Sequence, residues 1–460
     1  MPESNLSTAL EYCQQNRGRF LEELKSLISI PSISTDPNAR PGIQRAAQWL
    51  ADHLEHLGMK NVQILPTPGH PVVYGESLDA GPGKPIILIY GHYDVQPAEP
   101  LDLWHSPAFE PELRGDNLYG RGASDMKGQV LATLKAVESI TKTGSLNINL
   151  KFLFEGEEEI GSPNLGPFIA VNTELLACDF ALNPDAAMIA ADIPTITYGL
   201  RGLAYFELRI SGPRQDLHSG LYGGVVHNPA QALCELLSGM HDAQGRVTLP
   251  SFYDSVQPLS EEERDELRRL PIDDQYYLEQ CGAPQLSGEA GFSALERVGA
   301  RPTLEINGLL SGFTSEGIKT VLPAKAMAKI SMRLVPDQDP TEVHQQLVRY
   351  MEMNAPSTVT WEVIKMAGSP PSITDRQMPA MEALSQALQE TWGKKPVYKR
   401  EGGSIPVVAQ LSEFLGVDSI ITGFGLPDDN LHAPNEKLNL PNFFRSVEAL
   451  TRFFCILGEQ

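Results

Sequence analysis

Residues 84–97 read KPIILIYGHYDVQP. The run from Pro85 to Tyr90 is nearly all apolar, as a strand buried on both faces should be. It is far too short to span a bilayer. Upstream lie two further β-rich runs, VQIL from Val62 and PVVYGE from Pro71, preceded by amphipathic stretches at 6–30 and 43–57 that fit helices, the first ended by Pro31. Downstream, 126–141 reads as a helix and INLKFLF from Ile148 as a strand. CDFAL from Cys178 and PTITYGL from Pro194 continue the alternation. Strands alternating with helices predict an α/β sheet with helices on both faces.

The pattern changes after Gly202. LAYFELRISG alternates like a half-exposed strand, and a helix is expected to start near Asn228-Pro229. Residues 247–300 are polar, rich in Pro and Gly, and carry no clear assignment. AKAMAKISMRLVP from Ala324 is a strand, followed by a helix at 340–353 and the strand STVTWEVI. From Ser372 the first pattern returns, with helices at 378–392, 405–415 and 440–457 and the strand DSIITGF. The expected fold class is therefore α/β, a catalytic domain with a central mixed sheet flanked by helices, carrying an inserted α+β domain. Residues 1–200 and 372–460 form the first domain and 201–371 the second. A chain of 460 residues exceeds what one hydrophobic core organises, which agrees with two domains.

Charge narrows the partners. Lys and Arg number 36 against 58 Asp and Glu, a net charge of −22. Nucleic acid and anionic membrane surfaces both need a basic footprint, so neither is expected. The five cysteines are scattered and never in C-x-x-C spacing, which suits reduced thiols. The opening MPESNLSTALEYCQQNRGRF has neither a basic start nor an apolar core. A cytoplasmic protein is expected.

Acids and histidines fall where these strands end. His92 and Asp94 follow PIILIYG, the run Glu157-Glu158-Glu159 follows FLFEG, and Asp185 follows CDFAL. His432 follows SIITGFG, within LPDDNLHAPNEK, and Asp125 opens a helix in GRGASDMKG. Open α/β sheets bind ligands beyond the carboxyl ends of their strands. Taken singly, each residue has a plainer explanation: a satisfied histidine, an N-cap, a solvated acidic face, a turn aspartate. Together, clustered acids at the end of a core strand repel one another unless a cation neutralises them. Imidazole with carboxylate is the ligand set of a catalytic zinc site, and the surplus of carboxylates suggests two ions. There is no G-x-S-x-G elbow, no dinucleotide fingerprint and no H-E-x-x-H.

GHYDVQP, GRGASDMKG, FEGEEEIGSP, ITYGLRG, DLHSG and EGGSIPV, with His432, occur in order along nearly the whole chain. They resemble the dinuclear zinc peptidase family of carnosine-type cytosolic dipeptidases, aminoacylase, acetylornithine deacetylase, succinyl-diaminopimelate desuccinylase and carboxypeptidase G. YGLRG, DLHSGLYGG, KTVLPAKA and SMRLVP are most similar to the dipeptidases. The resemblance implies two divalent ions, zinc first, with manganese or cobalt as alternatives. Asp125 would bridge them across a cis Asp125–Met126 peptide, with His92 and Asp185 completing one ion and Glu159 and His432 the other. Asp94 would hold His92. Glu158 would be the general base for attack by a water held between the ions. The triple Glu leaves Glu157-Glu158 as an alternative pair; Ile160-Gly161-Ser162 favours Glu158-Glu159. From the inserted domain, taken as a lid that also dimerises, His218 would polarise the scissile carbonyl, with action across a homodimer left open. Arg333 would grip the substrate carboxylate, with Thr320 and Ser404 as further contacts. The implied activity is hydrolysis of dipeptides or similarly small peptides. The alternatives are an N-acyl amino acid deacylase of the same family and a catalytically silent binding protein on the same scaffold.

Overall fold

The computed structural model of the chain describes residues 2–459 and divides into two units. The first runs up to Tyr198 and takes in Thr374–Tyr398 and the chain from Pro406 onward; the second holds Gly199–Ile373 and Lys399–Ile405. The segment carrying Ser404 thus groups with the second unit, although it falls inside the stretch 372–460 that the sequence assigns to the first.

In the first unit the apolar run forms the strand Ile86–His92, hydrogen-bonded on both sides. Its neighbours are Asn149–Glu155 (Ile89 opposite Phe152) and Phe180–Asn183 (Ile89 opposite Leu182), both parallel to it. Ser419–Thr422 joins parallel to Phe180–Asn183. Antiparallel strands flank this parallel centre, Lys60–Leu65 and Val72–Ser77 on one side and Thr195–Leu200 on the other. The sheet is therefore mixed. Ile86–His92 is buried from Ile87 onward, which is why it reads as an apolar run instead of alternating; Asn149–Glu155 is equally buried but carries Asn149, Lys151 and Glu155, whose side chains are all hydrogen-bonded. Ile87, Ile89, Leu150, Phe152 and Phe154 share one core with residues of the helices Arg40–His56, Gly128–Thr143, Pro379–Trp392 and Leu440–Glu459.

Two helical expectations change. The stretch 6–30 is two helices, Pro2–Gln15 and Arg17–Ile28. Asn16 separates them, at φ −101° and ψ 6°, and its Nδ2 donates to the Tyr12 carbonyl, competing with the backbone for that acceptor. The helix expected at 126–141 becomes regular only from Gly128, because Asp125 and Met126 have non-helical dihedrals.

The second unit is an antiparallel four-stranded sheet in the order Thr303–Ser311, Lys325–Leu334, Gly202–Ser211, Thr360–Ser369. Lys325–Leu334 buries every second residue, so Ala326, Ala328, Ile330, Met332 and Leu334 face one core. Leu233, Leu236 and Leu237 of the helix Pro229–Ser238 and Val343, Leu347 and Met351 of Pro340–Asn354 fill the other side of that core. The architecture of this unit is α+β. The unassigned stretch 247–300 contains three short helices, Glu261–Arg268, Asp274–Cys281 and Ala294–Ala300, each N-capped by a side chain. Among the described residues no helix is long and apolar enough to cross a membrane.

Candidate metal centre

Four parallel strands end at one edge of the first unit's sheet, and the chain leaving each of them carries a functional side chain. His92 is the last residue of its strand and fully buried. Its Nδ1–H donates to the Asp94 carbonyl at 3.0 Å, which directs Nε2 to Asp125 Oδ1 at 3.1 Å, with Asp185 Oδ2 at 3.9 Å. The Asp94 carboxylate accepts the backbone N–H of Glu158 at 3.2 Å and of Glu159 at 3.1 Å. It therefore ties the turn after Asn149–Glu155 to the end of Ile86–His92.

Asp125 lies at the center of the cluster. The chain reaches it through Gly122, whose φ of +82° is the left-handed region; a Cβ there would meet Val95 Cγ1 at 2.6 Å. The Asp125–Met126 peptide is cis. One carboxylate oxygen of Asp125 faces His92 and the other faces His432 Nε2 at 3.0 Å. His432 Nε2 also lies 3.2 Å from Glu159 Oε2, which accepts from Gln96 Nε2 at 2.8 Å. Two donor sets result, His92–Asp125–Asp185 and Asp125–Glu159–His432, each with its ligand atoms within 4.8 Å of one another. Asp125 belongs to both.

Glu157 belongs to neither set. Its carboxylate accepts from His70 N at 3.0 Å and from Asn164 Nδ2 at 2.8 Å. Glu158 is partly buried among like charges, and burial, with Asp185, Glu159 and Asp125, pushes its pKa up to about 8. Burial, with Asp125 and Glu159, likewise raises Asp185 to about 7. Asp125 is held well below the usual carboxylate range, because hydrogen bonds from His432 and His92 outweigh its burial. The same bonds, from Asp125 and then Glu159, raise His432 to about 10. Five carboxylates (Asp94, Asp125, Glu158, Glu159 and Asp185) against two imidazoles leave a largely buried site short of positive charge. Oxygen and imidazole donors at this spacing fit two divalent cations. A third group of metal-compatible side chains, Glu23, His53 and Glu138, is instead bridged by the Lys135 ammonium, which donates to His53 Nε2 at 2.8 Å and Glu138 Oε2 at 2.6 Å and also pairs with Glu23.

Residues 88–455 match the model of Peptidase family M20/M25/M40. The chain belongs to this family. At 31% identity, the Cys-Gly metallodipeptidase DUG1 of Candida albicans aligns over 99% of this chain and 98% of its own length. The Beta-Ala-His dipeptidase of Homo sapiens is also 31% identical, over 100% of this chain and 94% of its own. Among solved structures, the M20 family metallo-carboxypeptidase Sso-CP2 from Sulfolobus solfataricus is similar with a TM-score of 0.84 and 32% identity, over 96% of this chain and 99% of that one. The chain is thus a peptidase, and both of those full-length relatives are dipeptidases.

In the second unit of this peptidase the other sequence candidates form two pairs. His218 lies on the short strand Leu217–His218 opposite Val321, and Ser219 N donates to the Thr320 carbonyl at 3.1 Å. The His218 side chain is exposed, its Nδ1 accepting Gly220 N at 3.0 Å. Arg333, on Lys325–Leu334, donates from Nη1 to Ser404 Oγ at 3.0 Å, and that hydroxyl donates to the Arg201 carbonyl. Sequence reading passed over Arg121, Ser124, Asp429 and Glu436, which brace the center from behind.

Proposed function

We propose that this peptidase hydrolyses the peptide bond of dipeptides and similarly small peptides, with two divalent cations at the two donor sets. The observation that carries the reading is the sharing of Asp125 between two imidazole–carboxylate sets, with Glu158 beside both. His92 and Asp185 would hold one ion, Glu159 and His432 the other, and Asp125 both; zinc is the ion we assign, with manganese and cobalt as alternatives. Bound there, the ions would supply the positive charge that acidifies water and polarises a carbonyl.

The rest falls to the chain's own side chains. Glu158 takes a proton from the attacking water as its oxygen bonds to the scissile carbon. The same carboxyl then delivers that proton to the leaving nitrogen as the C–N bond breaks. Asp94 fixes the tautomer of His92 and, through two amide hydrogen bonds, the position of Glu158. His218 would polarise the carbonyl, and Arg333, with Thr320 and Ser404, would engage the substrate, its carboxylate in particular. The pairing of Arg333 with Ser404 supports assigning them together.

The five cysteines are all unpaired, which supports a reducing, cytoplasmic setting. A homodimer through the second unit is supported by exposed Ile306, Leu309 and Leu310 on its edge strand and by Leu221, Val225 and Ile318 nearby in sequence to His218 and Thr320.

The test compares a dipeptide, its C-terminal amide, a tripeptide and an N-acyl amino acid on metal-loaded protein. We expect the free dipeptide to be cleaved fastest, the amide poorly, and all activity to vanish with chelator and return with zinc or manganese. Faster turnover of the acyl compound would move the assignment to a deacylase, and faster turnover of the tripeptide with release of its C-terminal residue to a carboxypeptidase. Two bound metals with no turnover of any substrate would leave a silent binding protein.

A further inference from the structure

We infer that Glu436 and Asp429 are positioning residues that set the second metal position, by clamping the loop that carries His432 onto the segment that carries Asp125. The inference rests on the dinuclear reading above.

Glu436 is completely buried and receives four donors from one short stretch. Its Oε1 accepts the backbone N–H groups of Ser124 at 3.0 Å and Asp125 at 3.1 Å. Its Oε2 accepts Gly122 N at 2.9 Å and Arg121 Nη1 at 2.8 Å. Arg121, itself buried, reaches on to the Pro97 carbonyl at 3.0 Å. Asp429 provides the second fastening. Its Oδ2 accepts Ser124 Oγ at 2.7 Å and Leu426 N at 2.8 Å, while Oδ1 faces Lys437 Nζ at 3.1 Å.

The two carboxylates flank His432 by three and four residues, and both end on Ser124, the neighbour of Asp125. Between them the chain takes three residues through left-handed backbone, at Asn and His positions that enter this region more readily than most residues. Asn430, His432 and Asn435 have φ of +56°, +60° and +61°, so the loop turns sharply on either side of the histidine and the direction of its ring is set by how that turn is fastened. His432 itself is half exposed, so packing does little to hold its ring. Its placement 3.0 Å from Asp125 Oδ2 therefore depends on the fastenings on either side. The first position has separate support, because His92 ends a central strand and is oriented by Asp94.

A carboxylate is needed at 436 for a countable reason. Four N–H donors converge on two oxygens, and a glutamine there would set its NH2 group against two of those donors. Glu436→Gln should therefore let the loop swing out and weaken the second ion selectively.

The experiment titrates metal-free protein with zinc in a competing chelator and counts zinc per chain by elemental analysis, with thermal melts of the metal-free proteins alongside. We expect two zinc ions in the native protein. In Glu436→Gln we expect one ion bound as in the native protein and the other weakened about 10- to 100-fold, the usual effect of losing a residue that orients a ligand. Ser124→Ala, which removes only the hydroxyl bond to Asp429, should weaken the same ion several-fold, and it decides the matter if Glu436→Gln fails to fold. Two ions with native affinities in the folded variants would overturn the inference, even if the melting temperature drops. A native protein that takes up fewer than two ions would sink the dinuclear reading instead.

Discussion

Three consecutive glutamates have three different surroundings, and those surroundings separate their roles. Glu157 is occupied by His70 and Asn164, Glu159 faces His432 and Gln96, and Glu158 is left with a raised pKa and no place in either donor set. Glu158→Gln is therefore expected to lose turnover by several orders of magnitude while elemental analysis still finds two metals per chain. Glu159→Gln should lose metal, and activity with it. If the metal loss falls on Glu158→Gln and spares Glu159→Gln, the base and the ligand have been exchanged. Arg333 offers a second residue-level test. Arg333 is partly buried and its Nη1 is already bonded to Ser404, which steadies the planar fork it would present to a carboxylate. Arg333→Ala should raise KM for dipeptides strongly, a loss of about 2–4 kcal/mol in kcat/KM, and Arg333→Lys should recover only part of it. Native protein that cleaves free and amidated dipeptides equally well would remove the carboxylate grip.

At the level of elements, the sequence was most legible where one physical rule dominates. Strands buried on both faces read as apolar runs, and the parallel pairing of Ile86–His92 with its neighbours put the residues after them on one edge. His92, Asp185, His432 and the run Glu157-Glu158-Glu159 were thus placed by strand ends, whereas Asp125 lies at a helix start and the choice of Glu158-Glu159 rested on the family resemblance. The braces at Asp429 and Glu436 could not be placed either way, because a buried carboxylate bonded to backbone N–H groups leaves no periodicity or spacing behind. The break at Asn16 was hidden because amphipathic periodicity continues across it. The capped helices of 247–300 were missed although Ser293 and Glu296 make a capping box, a signal overshadowed by the Pro and Gly around it. Burial governs another element as well. His53, near the end of the helix Arg40–His56, is partly buried beside the Lys135 ammonium, and burial and that charge push its pKa down to about 4 from 6.5. Folding thus favours the neutral ring. The stability this contributes is complete above pH 6.5 and is lost as the pH falls toward 4. In metal-free protein between pH 6.5 and 5 the loss is on the order of 2 kcal/mol. His53→Gln can still accept from Lys135 and should flatten that part of the pH–melting curve; an unchanged slope would mean that His53 is not kept neutral by the fold.

At the scale of the whole molecule, the open question is whether one chain is enough. Thr303–Ser311 is an edge strand of the second unit's sheet, and although Glu305 and an irregularity at Ile306–Gly308 interrupt it, it exposes Ile306, Leu309 and Leu310. Phe313 and Ile318 follow it, also exposed, Ile318 at 95%. Apolar side chains in such number on one unit favour burial against a second copy. Sedimentation of the native protein should therefore give a dimer at micromolar concentration. Leu309→Lys combined with Ile318→Lys should shift it toward monomer with little change in the melting temperature of either unit, since neither side chain belongs to the buried core. The functional consequence can be read independently. His218 and Glu158 lie in different units, so a dimer allows one chain's His218 to serve the partner's catalytic glutamate. His218→Ala and Glu158→Gln chains, each inactive alone, are mixed after dissociation and allowed to reassociate. Mixed dimers would then contain one site with both residues intact, and activity should approach one quarter of the native value at equal mixing: half the dimers are mixed, and each has one of two sites complete. Activity that stays at zero while co-purification of differently tagged chains confirms mixed dimers would confine His218 to its own chain. Monomeric native protein with full activity would remove the dimer from the mechanism altogether.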